Sequence, residues 1–437
     1  MTQALTSTIR VKNKLWAAIG GPINFRAALT KGSRELFWVL AGKFALMGSN
    51  AVVMLFLAKR LDLKIYGLFV LTISGQLLFS RLLMLGVDAG MVRLTTTVDL
   101  QSRTDEVVTA GYVTIACASS TLIVLGFLSL PLISPFDIPP WTVACIVIGS
   151  IGLALVDYGY SFRLARQEYP LASLAQGGTA IWRLAVTTVA AVVTPYPLIV
   201  FLAYHGASLL SGLLQTFIIA RTSWKRPDTA LIKQVLRYSF WQGKANVIVI
   251  FSLYQGTFLL TLLDQKAATG IFGLALTVSL GFFAIYNAYS DYLLTRVRLV
   301  KQISALPGFV TRTLLSALSL IVACVPVVFA LAWLLPWFLG PEWQGFAGVF
   351  VYLAAAMVSL IVQAPLEAAF HYLLKPQFIS FGWLTRAALV AIAGLSLAPT
   401  MGARGAAIAQ LFGFALGLVV LSFLFAISYR SAAKAEG

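Results

Sequence analysis

Long apolar runs separated by short polar connections set the pattern of the 437-residue chain. The first run, 36–58, is long enough to cross a hydrocarbon core of about 30 Å as a helix. A short basic link leads from it into a second run that starts at Ile65, so the two runs form a helical hairpin. Ten further runs predict ten more crossings, at about 108–130, 141–161, 172–193, 197–220, 238–263, 270–293, 312–334, 346–368, 378–397 and 404–428.

The second half of the chain repeats the first. The segment IYGLFVLTISG, which starts at Ile65, returns 206 residues later as IFGLALTVSLG, which starts at Ile271. In the fifth and eleventh predicted helices, RLAVTTVAAVV from Arg183 resembles RAALVAIAGLS from Arg386, at an offset of 203 residues. A period near half the chain predicts two bundles of six helices, and because six is even both bundles share one orientation in the membrane.

The predicted fold is therefore all-α: a polytopic membrane protein of about twelve transmembrane helices in two six-helix bundles, related by a pseudo-two-fold axis along the membrane normal. We divide the chain into a basic cytoplasmic N-terminal segment, an N-terminal bundle, a basic cytoplasmic linker, a C-terminal bundle and a cytoplasmic tail, at 1–34, 35–220, 221–237, 238–429 and 430–437. An apolar patch from Leu15 suits either an interfacial helix or part of a tail. No cleavable signal peptide is expected, since the first 34 residues contain no long apolar run.

Composition supports a membrane protein. Hydrophobic residues make up 59% of the chain and charged residues 11%, whereas about a quarter of a soluble domain is charged. The net charge of +17 would suggest nucleic acid in a soluble protein, but about 22 of the 32 Lys and Arg residues lie in the termini and alternate connections, and about five in the opposite set. This positive-inside distribution places both termini of a multi-pass membrane protein in the cytoplasm and explains the basic charge without nucleic acid, which is not expected as a partner.

The sequence argues against an enzyme. No predicted outer loop much exceeds ten residues, and the chain has no Walker A pattern, no metal-ligand cluster and no nucleophile motif. We therefore expect a transporter without cofactor or metal. His205 and His371 are isolated and suit helix packing. The three cysteines lie in separate apolar segments, which is typical of small core residues outside a disulfide framework.

Five cations lie inside the apolar runs, where each costs about 2.5 to 3.5 kcal/mol at a helix centre. The carboxylates nearest to them are expected close to the cytoplasmic helix ends, whereas Arg183 and Arg386 are expected near mid-membrane, so pairing cannot neutralise every cation. The cations are Lys43, Arg81, Arg183, Lys244 and Arg386, and the carboxylates are Asp88, Asp157, Asp291 and Glu367.

Cations without acidic partners predict a watery passage for an anionic ligand, because Arg offers a fork of donors to phosphate and Lys a mobile point charge. The predicted substrate-binding residues are Lys43, Arg183, Lys244 and Arg386. Side chains that could line the same passage are Trp38, Asn50, Arg81, Trp241, Gln255 and Tyr286. The alternatives are hydrogen bonding to backbone carbonyls or snorkelling for the cations, above all Arg81, and packing for the aromatic and amide residues.

Three segments carry a family resemblance. LAKRLDLKIYGLFVLTISG (57–75), LGVDAGMVRL (85–94) and GARGAAIAQLFGFALGLVVL (402–421) resemble the polysaccharide-biosynthesis flippases of the multidrug/oligosaccharidyl-lipid/polysaccharide exporter superfamily. The resemblance implies an inner-membrane protein with a V-shaped pair of six-helix bundles, which moves a lipid-linked oligosaccharide of the polyprenyl diphosphate type from the inner to the outer leaflet by alternating access. It also implies a cationic lumen suited to a lipid diphosphate.

Residues and resemblance together predict such a flippase. The diphosphate is expected to be drawn first to Lys43 and Lys244 and passed to Arg183 and Arg386. Expected partners are the lipid-linked glycan, membrane lipids, and a polysaccharide polymerase with glycosyltransferases. The alternatives are a drug exporter of the same superfamily, a membrane enzyme acting on polyprenyl-linked sugars and, more weakly, a scaffold that transports nothing.

Overall fold

A computed structural model describes residues 25–94, 103–297, 300, 302–373, 375 and 377–436; the apolar patch at Leu15 lies outside them. No strand occurs among these residues. Short 3-10 turns connect some helices, at Ser134–Phe136, Ile303–Ala305 and Pro341–Trp343. The helices are α1 (Phe25–Arg60), α2 (Leu63–Met84), α3 (Val87–Leu94), α4 (Thr104–Ile133), α5 (Pro140–Ala165), α6 (Tyr169–Ser173), a π turn (Leu174–Gly178), α7 (Thr179–Val193), α8 (Pro197–Ser223), α9 (Thr229–Leu262), α10 (Lys266–Val297), α11 (Leu306–Leu339), α12 (Phe346–Tyr372) and α13 (Gln377–Glu436).

Twelve crossings fit into this succession. Ten helical stretches of the described chain are long and apolar enough to span a membrane. The last of them, Gln377–Ala432, contains two helices, because Gly402 adopts φ 57° and breaks the helical path. The segment from α6 through the π turn to α7 supplies one more stretch of membrane-crossing length. The predicted all-α polytopic architecture is confirmed.

Several helix boundaries differ from the sequence expectation. Helix α9 starts at Thr229, inside the predicted linker 221–237 and nine residues before the predicted crossing at 238. Helix α1 already begins at Phe25, eleven residues before the predicted start at 36. The second crossing does not run on to Leu94: α2 ends at Met84, Leu85 and Gly86 adopt positive φ of 46° and 78°, and α3 starts afresh at Val87. Close packing explains this break, since a Cβ at Gly86 would lie 2.6 Å from the backbone nitrogen of Gly243 on α9.

The two halves of the chain repeat the same helix contacts. In the first half α2 packs on α5, and α1 packs on the π turn and α7. In the second half α10 packs on α12, and α9 packs on α13. These matching pairs are those expected of two bundles built to one plan.

The bundles meet most closely where α2 and α10 begin. A Cβ at Gly67 would overlap the backbone carbonyl of Lys266, and one at Gly270 would lie 2.8 Å from the carbonyl oxygen of Leu63. Gly273, the repeat counterpart of Gly67, approaches the side chain of Val70. Gly67 and Gly270 therefore allow backbone-to-backbone contact between the halves, and Gly273 makes room for the side chain of Val70.

Charged pairs strengthen both ends of this interface. We call the side of the protein that carries the basic connection between α8 and α9 the basic face. The side that carries the turn between α4 and α5 is the opposite face. On the opposite face Lys266 Nζ of α10 lies 2.7 Å from Asp137 Oδ2, in the turn between α4 and α5. On the basic face Arg103 lies 2.8 Å from Asp228, which caps α9 by accepting a hydrogen bond from the backbone N–H of Leu231.

Candidate functional site

A cavity of about 230 Å³ lies inside the N-terminal bundle and reaches the second half of the chain. Helices α1, α2, α5 and α7, the π turn and α8 supply most of its walls, and Tyr254 of α9 with Thr277 and Leu280 of α10 closes it from the other side. Two guanidinium groups, Arg81 and Arg183, and one carboxylate line it. A cavity at the junction of two bundles is suited to binding a ligand that both halves must recognise.

Arg183 is the central cation of this cavity. Its side chain is buried, with 4% of its surface exposed. The guanidinium donates to Asn50 Oδ1 of α1 and, at 3.4 Å, to Ser208 Oγ of α8, and it lies 4.5 Å from the ring centre of Tyr204. No carboxylate of the described chain lies within ion-pair distance of it, and Asp157 in the same cavity acts on it electrostatically from farther away, so its N–H donors can still meet a ligand anion.

Arg81 is in a different electrostatic setting. Its guanidinium lies 3.1 Å from Asp157 of α5 and 3.6 Å from Asp88 of α3. Asp157 lines the cavity, but its carboxylate forms this ion pair with Arg81 and also shares a hydrogen bond with Gln176. Of the two lining arginines, Arg183 is therefore the one without a carboxylate at ion-pair distance in the described chain.

The π turn positions the Arg183 helix against α1. A Cβ at Gly42 would lie 2.8 Å from Ser173 Oγ, and one at Gly177 would lie 3.1 Å from the Cβ of Ala45, so these glycines allow the two segments to touch. π turns are rare and are found frequently at functional sites. This one brings Gln176 and Arg183 to the same cavity.

The sequence did not single out several lining residues. Tyr204 and Tyr254 add aromatic surface, and Gln76 and Gln176 each present a buried amide oxygen without a hydrogen-bond partner in the described part of the chain. An amide in an apolar crossing is itself a signal, since a polar group costs free energy unless it meets a partner or water. Gln76 carried that signal in the sequence, as Asn50 did.

Arg386 is enclosed within the C-terminal bundle and does not line this cavity. Its side chain has no exposed surface and lies against the rings of Trp383, at 4.9 Å, and Phe414, at 5.6 Å. Glu367 of α12 interacts with it electrostatically, and Tyr286 donates to Glu367 Oε2 at 2.6 Å. Tyr286, a predicted lining residue, is thus part of this sealed cluster.

The other predicted site residues also lie away from the lining of the cavity. Lys43 and Lys244 are exposed, and Lys244 Nζ lies 4.3 Å from the ring centre of Phe240. Gln255 is buried beside a separate groove between α9 and α13. Trp38 is half-buried on α1, and the side chain of Trp241 lies outside what the structure describes. Of the ten predicted site residues, the cavity brings together Asn50, Arg81 and Arg183.

The two histidines lie outside the lining as well. His205 is fully buried and its Nε2 shares a 2.9 Å hydrogen bond with Thr72 Oγ1, which joins α8 to α2. His371 lies in the last turn of α12. Among the residues that the structure describes, no three or more His, Cys, Asp or Glu side chains form a group that could hold a metal ion.

Comparison with known proteins is informative at the level of structure. No protein-family model matches the chain, and no curated protein is similar to it in sequence. The lipid II flippase MurJ in an inward closed conformation gives a TM-score of 0.67 at 13% identity, over 89% of this chain and 87% of that one. An inward-facing multidrug resistance transporter of the MATE family gives 0.65 at 12% identity, over 92% and 100%.

A third solved structure, a transporter from Pyrococcus furiosus described as having a binding pocket of reverse polarity, gives a TM-score of 0.57 at 14% identity, over 90% of this chain and 94% of that one. It and the MATE-family transporter are assigned to the MOP superfamily. The chain therefore has the fold of MOP-superfamily transporters, which confirms at the level of fold the resemblance carried by its sequence motifs.

Proposed function

We propose that this protein is a flippase that moves a lipid-linked oligosaccharide of the polyprenyl diphosphate type across the inner membrane by alternating access, for the synthesis of a cell-surface polysaccharide. The observation that carries the proposal is the guanidinium of Arg183, which lies in a cavity shared by both halves without a carboxylate partner in the described chain. A buried cation in this setting is stabilised when an anion enters.

The groups around Arg183 suit a phosphorylated sugar. Arg183 binds phosphate through its fork of N–H donors, and Asn50 and Ser208 already hold that fork in place. The unsatisfied amide oxygens of Gln76 and Gln176 can accept from sugar hydroxyl groups. Aromatic rings in the wall, such as that of Tyr254, offer a flat apolar surface against a sugar ring. The structural neighbour MurJ is a lipid II flippase.

A volume of about 230 Å³ lies below the usual range of roughly 300–1,000 Å³ for small-molecule sites. An oligosaccharide therefore requires the bundles to separate. The two halves touch at both faces, at Gly67 on the opposite face and at Gly86 and Gly243 on the basic face, so one end must open for exchange. We propose that the substrate enters from the basic face, which carries the exposed cations Lys43 and Lys244 and would then be cytoplasmic. Lys43 lies seven residues before Asn50 on α1, about 10 Å along the helix, where it can meet the diphosphate first.

We further propose that Lys244 shares this first contact, because it too is an exposed cation and lies where the membrane-crossing part of α9 begins, at Gly243. The enclosed position of Arg386 favours a structural role in its bundle over contact with the diphosphate. A polymerase and glycosyltransferases would then consume and supply the glycan on the two sides of the membrane.

Purified protein in vesicles tests the proposal. A fluorescent polyprenyl-diphosphate oligosaccharide is placed in one leaflet, and its appearance in the other is followed with an impermeant glycan-binding protein. Wild type should flip the lipid, Arg183→Ala should not, and Arg183→Lys should retain part of the rate because it keeps the charge and loses the fork. Full flipping by Arg183→Ala would remove Arg183 from the site.

A drug exporter is the second candidate, and one observation favours it. Asp157, a carboxylate that could attract a cationic drug, lines the same cavity, and one structural neighbour is a multidrug resistance transporter. The ion pair with Arg81 weakens this candidate. Efflux of a cationic dye by the vesicles, abolished by Asp157→Asn, together with no movement of the glycolipid, would establish the exporter instead.

A further inference from the structure

A second cavity lies on the outside of the N-terminal bundle, away from the candidate site. It is a groove of about 470 Å³ between the segment α6–π turn–α7 and helix α8, and Arg163 of α5 closes its end at the basic face. Its side walls are apolar and face outward: Leu174 is 67% exposed, Leu210 59% and Trp182 48%. In a protein that spans a membrane, such surface faces lipid.

We propose that this groove is a binding site for an anionic phospholipid of the leaflet at the basic face. The phosphate lies against Arg163 and one acyl chain follows the apolar walls toward the middle of the membrane. The site is distinct from the cavity around Arg183 and does not depend on the transported substrate.

The charge of Arg163 supports an anionic headgroup. Arg163 lies two residues before the end of α5, and its Nε is buried without a hydrogen-bond partner in the described part of the chain. No carboxylate lies within ion-pair distance of Arg163 among the described residues, and no acid lines the groove. A phosphate would supply the missing acceptor and the compensating charge at once.

The length of the groove favours a phospholipid over the prenyl chain of a substrate. Its walls run from Leu171, near the start of α6, to Trp182 on α7, which is eleven residues or about 16 Å of helix. One leaflet of a hydrocarbon core of about 30 Å is nearly as deep. An ordinary acyl chain therefore fills the groove from end to end, whereas a long polyprenyl chain exceeds it.

The floor of the groove is the π turn that also forms part of the candidate site. Gln215 of α8 donates from Nε2 to the carbonyl oxygen of Ala175, at 3.0 Å, and to Thr179 Oγ1, at 3.3 Å. Thr179 lines both the groove and the cavity of Arg183. A lipid held in the groove thus packs against the segment that positions Arg183, and its presence should stabilise that segment.

Native mass spectrometry of the purified full chain tests this site. Phosphatidylglycerol and phosphatidylcholine with identical acyl chains are added separately, and retained lipid is counted. Wild type should retain one phosphatidylglycerol, at least about tenfold more tightly than phosphatidylcholine, because both lipids offer a phosphate but the choline cation of phosphatidylcholine offsets its charge and is repelled by Arg163. Arg163→Gln should abolish this preference, and Ser211→Phe, which fills the groove, should reduce retention of both lipids.

Arg221→Gln is the matched control. Arg221 lies at the end of α8 that reaches the basic face, as Arg163 does at the end of α5. Arg221 is exposed, however, stacks on the ring of Phe217 at 4.3 Å and does not line the groove. Its loss should leave the retained lipid unchanged. The proposal is overturned if Arg163→Gln retains phosphatidylglycerol as wild type does, if Arg221→Gln loses it equally, or if a polyprenyl phosphate displaces it at equal concentration. Because the readout is lipid binding, a failed flipping assay leaves the result intact.

Discussion

Arg183 and Arg386 come from corresponding places in the two halves of the chain, and their surroundings differ. Arg183 reaches a cavity, where Asn50 and Ser208 hold its guanidinium and no carboxylate of the described chain pairs with it. Arg386 is enclosed by the rings of Trp383 and Phe414 and has Glu367 as its electrostatic partner. One repeated cation is thus poised for a ligand, and the other stabilises a bundle.

The π turn gives a physical reason for the difference. Leu174–Gly178 interrupts the helical path just before Arg183, whereas the path from Gln377 to Arg386 is regular α-helix. One extra residue in a turn rotates all following side chains by about 100°, since an α-helix has 3.6 residues per turn. Residues that match in sequence therefore face different surroundings, and a repeat of helices does not imply a repeat of sites.

The largest expected effect is a difference in the free energy of unfolding between variants of Arg183 and of Arg386. Arg386→Met should lower the free energy of unfolding by about 3 kcal/mol or more, because Glu367 is left as an uncompensated buried charge. Arg183→Met should cost no more than about 1 kcal/mol, the usual loss for a hydrogen bond that water can replace. Thermal unfolding in detergent, followed by tryptophan fluorescence, measures both. Equal losses would mean that the two sites are equivalent.

A double variant tests whether Glu367 is the electrostatic partner of Arg386. If Arg386 and Glu367 stabilise each other, Arg386→Met with Glu367→Gln should be less unstable than the sum of the single changes, by on the order of 1–3 kcal/mol. The same cycle on Arg183 and Asp157 should give a smaller coupling, because the carboxylate of Asp157 forms an ion pair with Arg81 and acts on Arg183 only from beyond ion-pair distance. Additive losses at Arg386 and Glu367 would show that the enclosing rings alone hold Arg386.

Accessibility is the next difference. In a background in which Cys117, Cys145 and Cys324 are replaced, Arg183→Cys should react with a small water-soluble thiol reagent, and Arg386→Cys at least about tenfold more slowly, because reaction there requires the bundle to open locally. The labelling rate from each side of sealed vesicles also reports which face the Arg183 cavity opens to. Similar rates at the two cysteines would contradict the sealed description of Arg386.

The smallest expected effect concerns the opposite face. The hydrogen bond from Lys266 and its charge hold the pKa of Asp137 below its ordinary value of 3.8. Because the pKa is lowered in the folded protein, the contribution of this pair is fully present above about pH 4 and is lost as the pH falls through the lowered pKa. Asp137→Asn should therefore slightly increase labelling of Arg183→Cys from the opposite face at neutral pH. In the Asp137 protein, the rate should be flat between pH 5 and 8, once corrected for thiolate content.

The control for this prediction is Asp228→Asn. Asp228 is also exposed, and its pKa is lowered by the backbone N–H of Leu231 and by Arg103, but it lies on the basic face. Its substitution should leave labelling from the opposite face unchanged. An equal increase with both variants would point to general loosening of the protein and not to release of one face.

The sequence predicted the helices better than the site. Apolar length is enough to place a crossing, and the glycines repeated at Gly67 and Gly273 indeed lie where the halves touch. The place of a residue within a predicted crossing also gives its depth in the membrane. Arg183 was expected near mid-membrane for this reason, and therefore in a watery passage. The direction of a side chain could not be read, because it depends on the neighbours and on irregularities such as the π turn. Arg386 was therefore expected beside Arg183 but is enclosed elsewhere.

The pairing of Arg81 was foreseen only in part. The sequence placed Asp88 and Asp157 near its end of the membrane, but the ion pairs depend on the break at Leu85 and Gly86, which separates α3, the helix that carries Asp88, from α2. Left-handed backbone at a leucine is not signalled by hydrophobic periodicity, since it arises from contact with α9.

The backbone contact between α2 and α10 leaves no room for a side chain at Gly67. At Gly67 the backbones of the two halves meet with no side chain between them, whereas the neighbouring side chain of Val70 packs against Gly273. A single added methyl group at Gly67 would therefore push the starts of α2 and α10 apart and disfavour any state of the protein in which the two halves touch there.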